Sequence, residues 1–79
     1  MYGVTIETLD NPGWFVSIDL IHTPLSDRQM SPLRDENSED DWLVCEVENK
    51  QFRGQGDPAK LSAILQVFQE FVSQNAAVR

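Results

Sequence analysis

The sequence holds one cysteine, one histidine and only six lysines and arginines against thirteen aspartates and glutamates, and it has no long apolar run. Each shortage excludes something. Cys45 has no partner for an internal disulfide, whereas a domain this small in an oxidising compartment usually carries several, so a cytoplasmic location is expected. No stretch nears the roughly 18 apolar residues of a membrane span. Met1-Tyr2-Gly3-Val4-Thr5 has neither the basic nor the apolar region of a secretory signal, so no membrane association or export is expected. A formal net charge of -7 repels nucleic-acid phosphates, whose binding needs a Lys/Arg patch. The same charge suits a basic protein partner, because opposite net charge speeds encounter.

Signatures of chemistry are equally scarce. HExxH, CxxC, P-loop and GxGxxG patterns are absent, so no cofactor and no metal site is expected. The acidic run Asp35-Glu36-Asn37-Ser38-Glu39-Asp40-Asp41 could offer oxygen ligands to Ca²⁺ but lacks the EF-hand order with its central Gly and terminal bidentate Glu. It reads first as a solvated loop and second as a docking surface for a cationic partner. Cys45 sits between Val44 and Glu46 on a strand face shared with Leu43 and Val47, where burial and a nearby carboxylate disfavour thiolate. A core role is therefore expected of it. His22 reads as an exposed loop residue with no spacing that would pair it with Cys45.

What is present suffices for one core. With 79 residues, 41% of them hydrophobic, the chain is expected to form a single domain over 1–79. Val4-Thr5-Ile6-Glu7-Thr8-Leu9 alternates and is β-branched, which predicts a half-buried strand. Asp10-Asn11-Pro12-Gly13 ends it, with Pro12 setting φ and Gly13 supplying the positive φ of a type II turn. The next strand, from Trp14 to Leu20 or Ile21, places Trp14, Val16, Ile18 and Leu20 on the core side.

Between His22 and Asp41 the pattern lapses, broken by Pro24 and Pro32, and much of it reads as loop with an irregular edge strand around Gln29 to Asp35. Trp42 to Glu48 restores a strand, with Leu43, Cys45 and Val47 inward. A tight reversal at Asn49-Lys50 leads to a short strand, Gln51 to Arg53, after which Gly54 and Gly56 loosen the backbone.

The C-terminal segment has the clearest signal. Asp57 suits an N-cap and Pro58 the first helical position. Leu61, Ile64, Leu65, Phe68, Phe71 and Val72 then form one apolar stripe on a helix to about Gln74. The expected class is α+β: an antiparallel β-meander of about four strands with one C-terminal helix packed on one face. The opposite face collects Phe15, Trp42 and Val44 among Thr5, Glu7, Ser17, Asp19, Glu46 and Arg53. Apolar groups ringed by polar ones mark interfaces, unless the segment between His22 and Asp41 folds over them.

Thr5-Ile6-Glu7-Thr8-Leu9-Asp10-Asn11-Pro12-Gly13-Trp14, then Val16-Ser17-Ile18-Asp19-Leu20 and Ser38-Glu39-Asp40-Asp41-Trp42, resemble the immunity protein 53 family of bacterial polymorphic toxin systems. Cys45, Val47, Phe52, Gly54, Gly56 and the C-terminal helix also fall where that pattern places them. The resemblance implies a further N-terminal segment with Trp-Tyr and Asp-Gly-Asp-Trp-type motifs ahead of Tyr2-Gly3, which this chain is expected to lack. It implies a non-catalytic inhibitor that binds and neutralises a cognate toxin, with a basic nuclease as one candidate. Residues expected at the contact are Phe15, Asp35, Glu36, Glu39, Asp40, Asp41 and Trp42, while Pro12, Gly13 and Trp14 serve the fold. Two alternatives stand beside it: a rhodanese-like sulfurtransferase using Cys45, and a homodimeric adaptor or remnant of the family.

Overall fold

The computed structural model describes residues 3–10 and 12–76. In chain order these form β1 (Val4–Leu9), β2 (Gly13–Asp19), β3 (Leu33–Ser38), β4 (Asp41–Glu48), β5 (Gln51–Gly56) and α1 (Leu61–Ala76). The strands make one sheet of five in the order β1-β2-β5-β4-β3, every pair antiparallel. The class is α+β, with one strand more than expected and with β5 inserted between β2 and β4, which a simple meander does not allow. The chain between β2 and β3 makes the crossing that carries it from one half of the sheet to the far edge.

Local chemistry explains the two short reversals in the second half. Asn49 and Lys50 both take positive φ, 54° and 60°, between the closing pair Glu48 and Gln51. Positive φ at both central residues is the type I′ geometry whose twist matches the flanking strands. The β3-β4 hairpin turns at Glu39 and Asp40, with a register shift between Glu36 and Ser38. The acidic run is thus strand and turn, not a solvated loop. An edge strand needs no buried face of its own, so a segment this poor in apolar residues can hold strand form against β4, and its bulge and charge deter pairing with other sheets.

Two further expectations, both about glycine, are corrected by tertiary contacts. Gly54 and Gly56 do not loosen a loop; they lie on β5, the central strand, opposite Val16 and Trp14 on one side and Cys45 and Leu43 on the other. A Cβ on Gly54 would sit 2.4 Å from Ile64 Cγ2, and one on Gly56 2.6 Å from Lys60 Cβ. Here glycine serves close helix-on-sheet packing. Gly13 likewise has no positive φ, and no described glycine does. It is required because a Cβ there would lie 2.3 Å from the backbone oxygen of Gly56 on the neighbouring strand. Asn11, at the tip of that turn, falls outside the described residues.

The helix begins one turn later than expected. Lys60 N–H bonds the Asp57 carbonyl at 3.0 Å, an i to i+3 turn, and only Ile64 N–H to Lys60 C=O at 2.9 Å starts the α ladder. Trp14 Nε1 donates to the Pro58 carbonyl at 3.0 Å and ties this turn to β2. α1 crosses β5 and β4, burying Ile64 and Phe71. Phe52, fully buried beneath it, meets Phe68 ring to ring at 5.2 Å, a tilted geometry favoured by aromatic quadrupoles. Leu65, expected in the stripe, is exposed, and Ala63 and Val67 pack inward instead. About 100° per residue separates positions 64 and 65, so Ile64 at the centre of the contact turns Leu65 away.

The core is one sandwich of sheet and helix: Val16, Ile18, Leu43, Cys45, Phe52 and Ile64, flanked by Trp14, Met30, Val47, Leu61 and Phe68. A second cluster, Leu20, Leu25 and Phe71, continues it past the end of β2. Leu25 belongs to the crossing segment, where a series of turns from Leu20 to Arg28 is held by backbone bonds and by Thr23. This segment therefore packs on the helix side. β1 is not half-buried as expected: Val4 and Ile6 remain 54% and 46% exposed, because α1 lies over β4 and β5 and stops short of β1.

Candidate protein-docking face

Because side chains alternate, the buried row Val16, Ile18, Leu43, Cys45 and Phe52 forces its neighbours onto the reverse side. Cross-strand register then arranges that side as a grid. One row reads Asp19, Gln51, Glu48; the next Thr5, Ser17, Arg53, Glu46; the next Glu7, Phe15, Gln55, Val44, Arg34; and the last Leu9, Gly13, Trp42, Glu36. No described element crosses this face, since the crossing segment and α1 both occupy the other.

The grid divides by chemistry. Leu9, Phe15, Trp42 and Val44 are half-buried at one end and form an apolar patch. Trp42 reaches across the strand end toward β2, where its Cζ2 would lie 3.5 Å from a Cβ on Gly13. The absent side chain at 13 is thus the seat of the indole. Toward the other end stand Asp19, Glu46, Glu48 and Arg53. Gln51 Nε2 donates to Asp19 Oδ1 at 2.8 Å, and Arg53 Nη1 approaches Glu48 Oε1 at 3.5 Å. Beside Trp42 an open depression is lined by Glu36, Asn37, Ser38 and Glu39.

A buried carboxylate fixes Trp42 from behind. Asp57, 1% exposed, accepts from Trp42 N–H at 2.9 Å, Ala59 N–H at 2.8 Å and Lys60 Nζ at 2.7 Å. Its own N–H donates to the Trp42 carbonyl at 3.2 Å. The Lys60 bond, then that from Trp42, outweigh desolvation and hold its pKa down at about 2. Lys60 also donates to Asp41 Oδ1 at 2.8 Å, and the bonds to Asp41 and Asp57 raise its pKa. The residue expected as N-cap is instead the clasp joining β4, the end of β5 and the turn that leads into α1.

The residues expected at a contact separate into three groups. Phe15, Trp42 and Glu36 share the open face. Glu39 and Asp40 form the exposed turn at its corner. Asp35, opposite Leu43, and Asp41 point to the helix side, where Asn37 Nδ2 donates to Asp35 Oδ1 at 3.1 Å and Lys60 neutralises Asp41. Leu9, Gln55 and Arg34 join the face without having been expected. The parity of each strand carries that information: for Leu9 it follows from Thr5 and Glu7 on the same strand, while for Gln55 and Arg34 it is readable only once the glycine-flanked stretch and the acidic run are known to be strands.

The two candidates for chemistry lie apart in burial. Cys45 is fully buried, and burial pushes its thiol up to about 11, away from the thiolate that nucleophilic attack requires. His22 is exposed in the turn after Leu20 with φ 64°. Among the described residues no group of three or more His, Cys, Asp or Glu converges as a metal site, and no helix is long and apolar enough to cross a membrane.

No curated protein and no solved structure matches the chain. A family model does: that described as immunity protein 53, over residues 1–73. With all five strands and most of α1 inside that span, the chain belongs to the immunity protein 53 family.

Proposed function

We propose that this protein is a non-catalytic immunity protein that binds a cognate bacterial toxin in the cytoplasm and neutralises it by occupying its working surface. The observation that carries the reading is the uncovered reverse face, where Leu9, Phe15, Trp42 and Val44 make an apolar patch beside the acidic corner of Glu36, Glu39 and Asp40. A desolvated aromatic anchor with a charged rim is the arrangement that concentrates binding energy in protein interfaces. The net charge of -7 favours a basic toxin, such as a nuclease, through faster encounter. Asp35 and Asp41 act at the margin, since both sit on the helix side.

The test is calorimetric titration against the toxin encoded beside the gene. Trp42→Ala is expected to weaken binding about 30-fold or more, the effect of losing a hot spot of about 2 kcal/mol. Asp40→Lys should slow association most at low salt. Unchanged binding in the double variant would reject the surface. Self-association has one observation in its favour: β1 is an edge strand without a bulge, with Val4 and Ile6 exposed and only Glu7 charged, lacking the protection seen at β3. Light scattering at high concentration, with Ile6→Lys as the control, decides that reading.

A further inference from the structure

We infer that Arg53 is the polar anchor of this face and receives a carboxylate of the toxin, one bracketed by the toxin's own cations. The inference rests on the toxin-binding reading and names the chemistry its partner must present. Arg53 occupies the central strand, directly between Ser17 on β2 and Glu46 on β4. Phe52 beside it is fully buried under α1, so strand parity commits the guanidinium to the open side.

There it is under-used. A guanidinium has five N–H donors in a planar fork, yet among the described residues the one ion pair it makes is the 3.5 Å approach of Nη1 to Glu48. Its Nε is shut off from solvent and has no acceptor. Glu46, directly across, forms no ion pair with it. Nε itself is out of a partner's reach, so the donors left for an acceptor are those of Nη1 and Nη2 at the exposed head, where a charge-assisted bond is among the stronger kinds. The side chain is 40% exposed, so the head of the fork is reachable, and a carboxylate approaching Nη1 and Nη2 end-on can take two parallel bonds.

The surroundings narrow what can supply that carboxylate. Asp19, Glu46 and Glu48 stand within one grid position of Arg53, and Glu7 and Glu36 lie further out. A lone anion would meet their repulsion. A carboxylate flanked by lysines or arginines would instead match both the centre and the rim, giving Arg53 a role in specificity as well as affinity. Neighbouring Phe15 and Val44 exclude water from the contact.

Two substitutions in the full chain test this by titration against the toxin encoded beside the gene. Arg53→Met keeps the stem and removes the charge; a loss of at least 100-fold is expected. Arg53→Lys keeps the charge but removes the fork; a loss of at least 10-fold is expected, since an ammonium cannot reproduce the bidentate contact. Neutralising toxin carboxylates one at a time should uncover one whose loss makes Arg53→Met nearly silent, while Trp42→Ala still weakens binding. Free acetate should not compete. Wild-type binding by Arg53→Lys, or a scan with no coupled carboxylate, overturns the inference and leaves the toxin-binding reading intact. No binding by the wild-type protein overturns both. Should Arg53→Met unfold, the lysine variant and the scan on the toxin side carry the same decision.

Discussion

Gly54→Ala adds one methyl group and tests how α1 is seated on the sheet. The new Cβ would lie 2.4 Å from Ile64 Cγ2, against 3.5 Å to both Cys45 Sγ and Ile64 Cβ. Ile64 is fully buried and β-branched on a helix, which leaves it essentially one rotamer, so the methyl cannot swing aside. The helix must lift by about an ångström, and overpacking of this order costs about 1–3 kcal/mol. For a domain of this size that is a fall in melting temperature of about 4–8 °C per kcal/mol. The diagnostic lies in the second background. Ile64→Ala alone should cost about 2–5 kcal/mol, but it deletes Cγ2 and leaves the added methyl only its ordinary 3.5 Å neighbours. In that background Gly54→Ala should be neutral or stabilising by up to about 1 kcal/mol, because alanine restricts the unfolded chain more than glycine does. Chemical denaturation of all four proteins gives the cycle. If the two changes add to within about 0.5 kcal/mol, α1 does not rest on Gly54 and the packing described here is wrong. Ile64→Leu, which moves the branch from Cβ to Cγ, is the gentler background if the alanine variant melts too low.

Gly13→Ala meets backbone, the Gly56 oxygen at 2.3 Å, and strand separation cannot yield as a side chain can. It should destabilise more than Gly54→Ala and also shift Trp42 fluorescence by displacing the indole from its seat. Asp57 is bonded as the carboxylate, with its pKa held at about 2 against an ordinary 3.8. Its contribution is therefore complete above about pH 4 and disappears as pH falls toward 2, where protonation breaks the bonds from Lys60 and Trp42. Asp57→Asn should lower the melting temperature near neutrality and flatten its decline over that acid range. Equal slopes in the two proteins would refute the assignment. Cys45, its thiol pushed up to about 11, should react with a thiol reagent at pH 8 only as fast as the protein opens, and fully in denaturant. Rapid labelling of the native protein would reopen the sulfurtransferase alternative.

Several features follow from the sequence alone. Period-two alternation set the inward rows Val16, Ile18, Leu20 and Leu43, Cys45, Val47, and through them the membership of Phe15, Trp42, Val44, Glu46 and Arg53 in the opposite face. The spacing of Ile64, Phe68 and Phe71 fixed a helix, and Asn49 marked a reversal, because both signals depend only on neighbours along the chain. What sequence could not supply is whatever depends on distance in space. Gly54 and Gly56 carry the composition of a loop, yet they build the central strand, since only the closeness of α1 explains the missing side chains. Asp35 to Ser38 carry the charge of a solvated run, yet they pair with β4, because an edge strand needs no buried face of its own. Asp57 reads as a cap and acts as a clasp between segments 15 residues apart. The sheet order, with β5 drawn between β2 and β4, decided that Phe15 and Trp42 share one surface and that α1 leaves β1 bare, and those long-range pairings have no signature in local spacing.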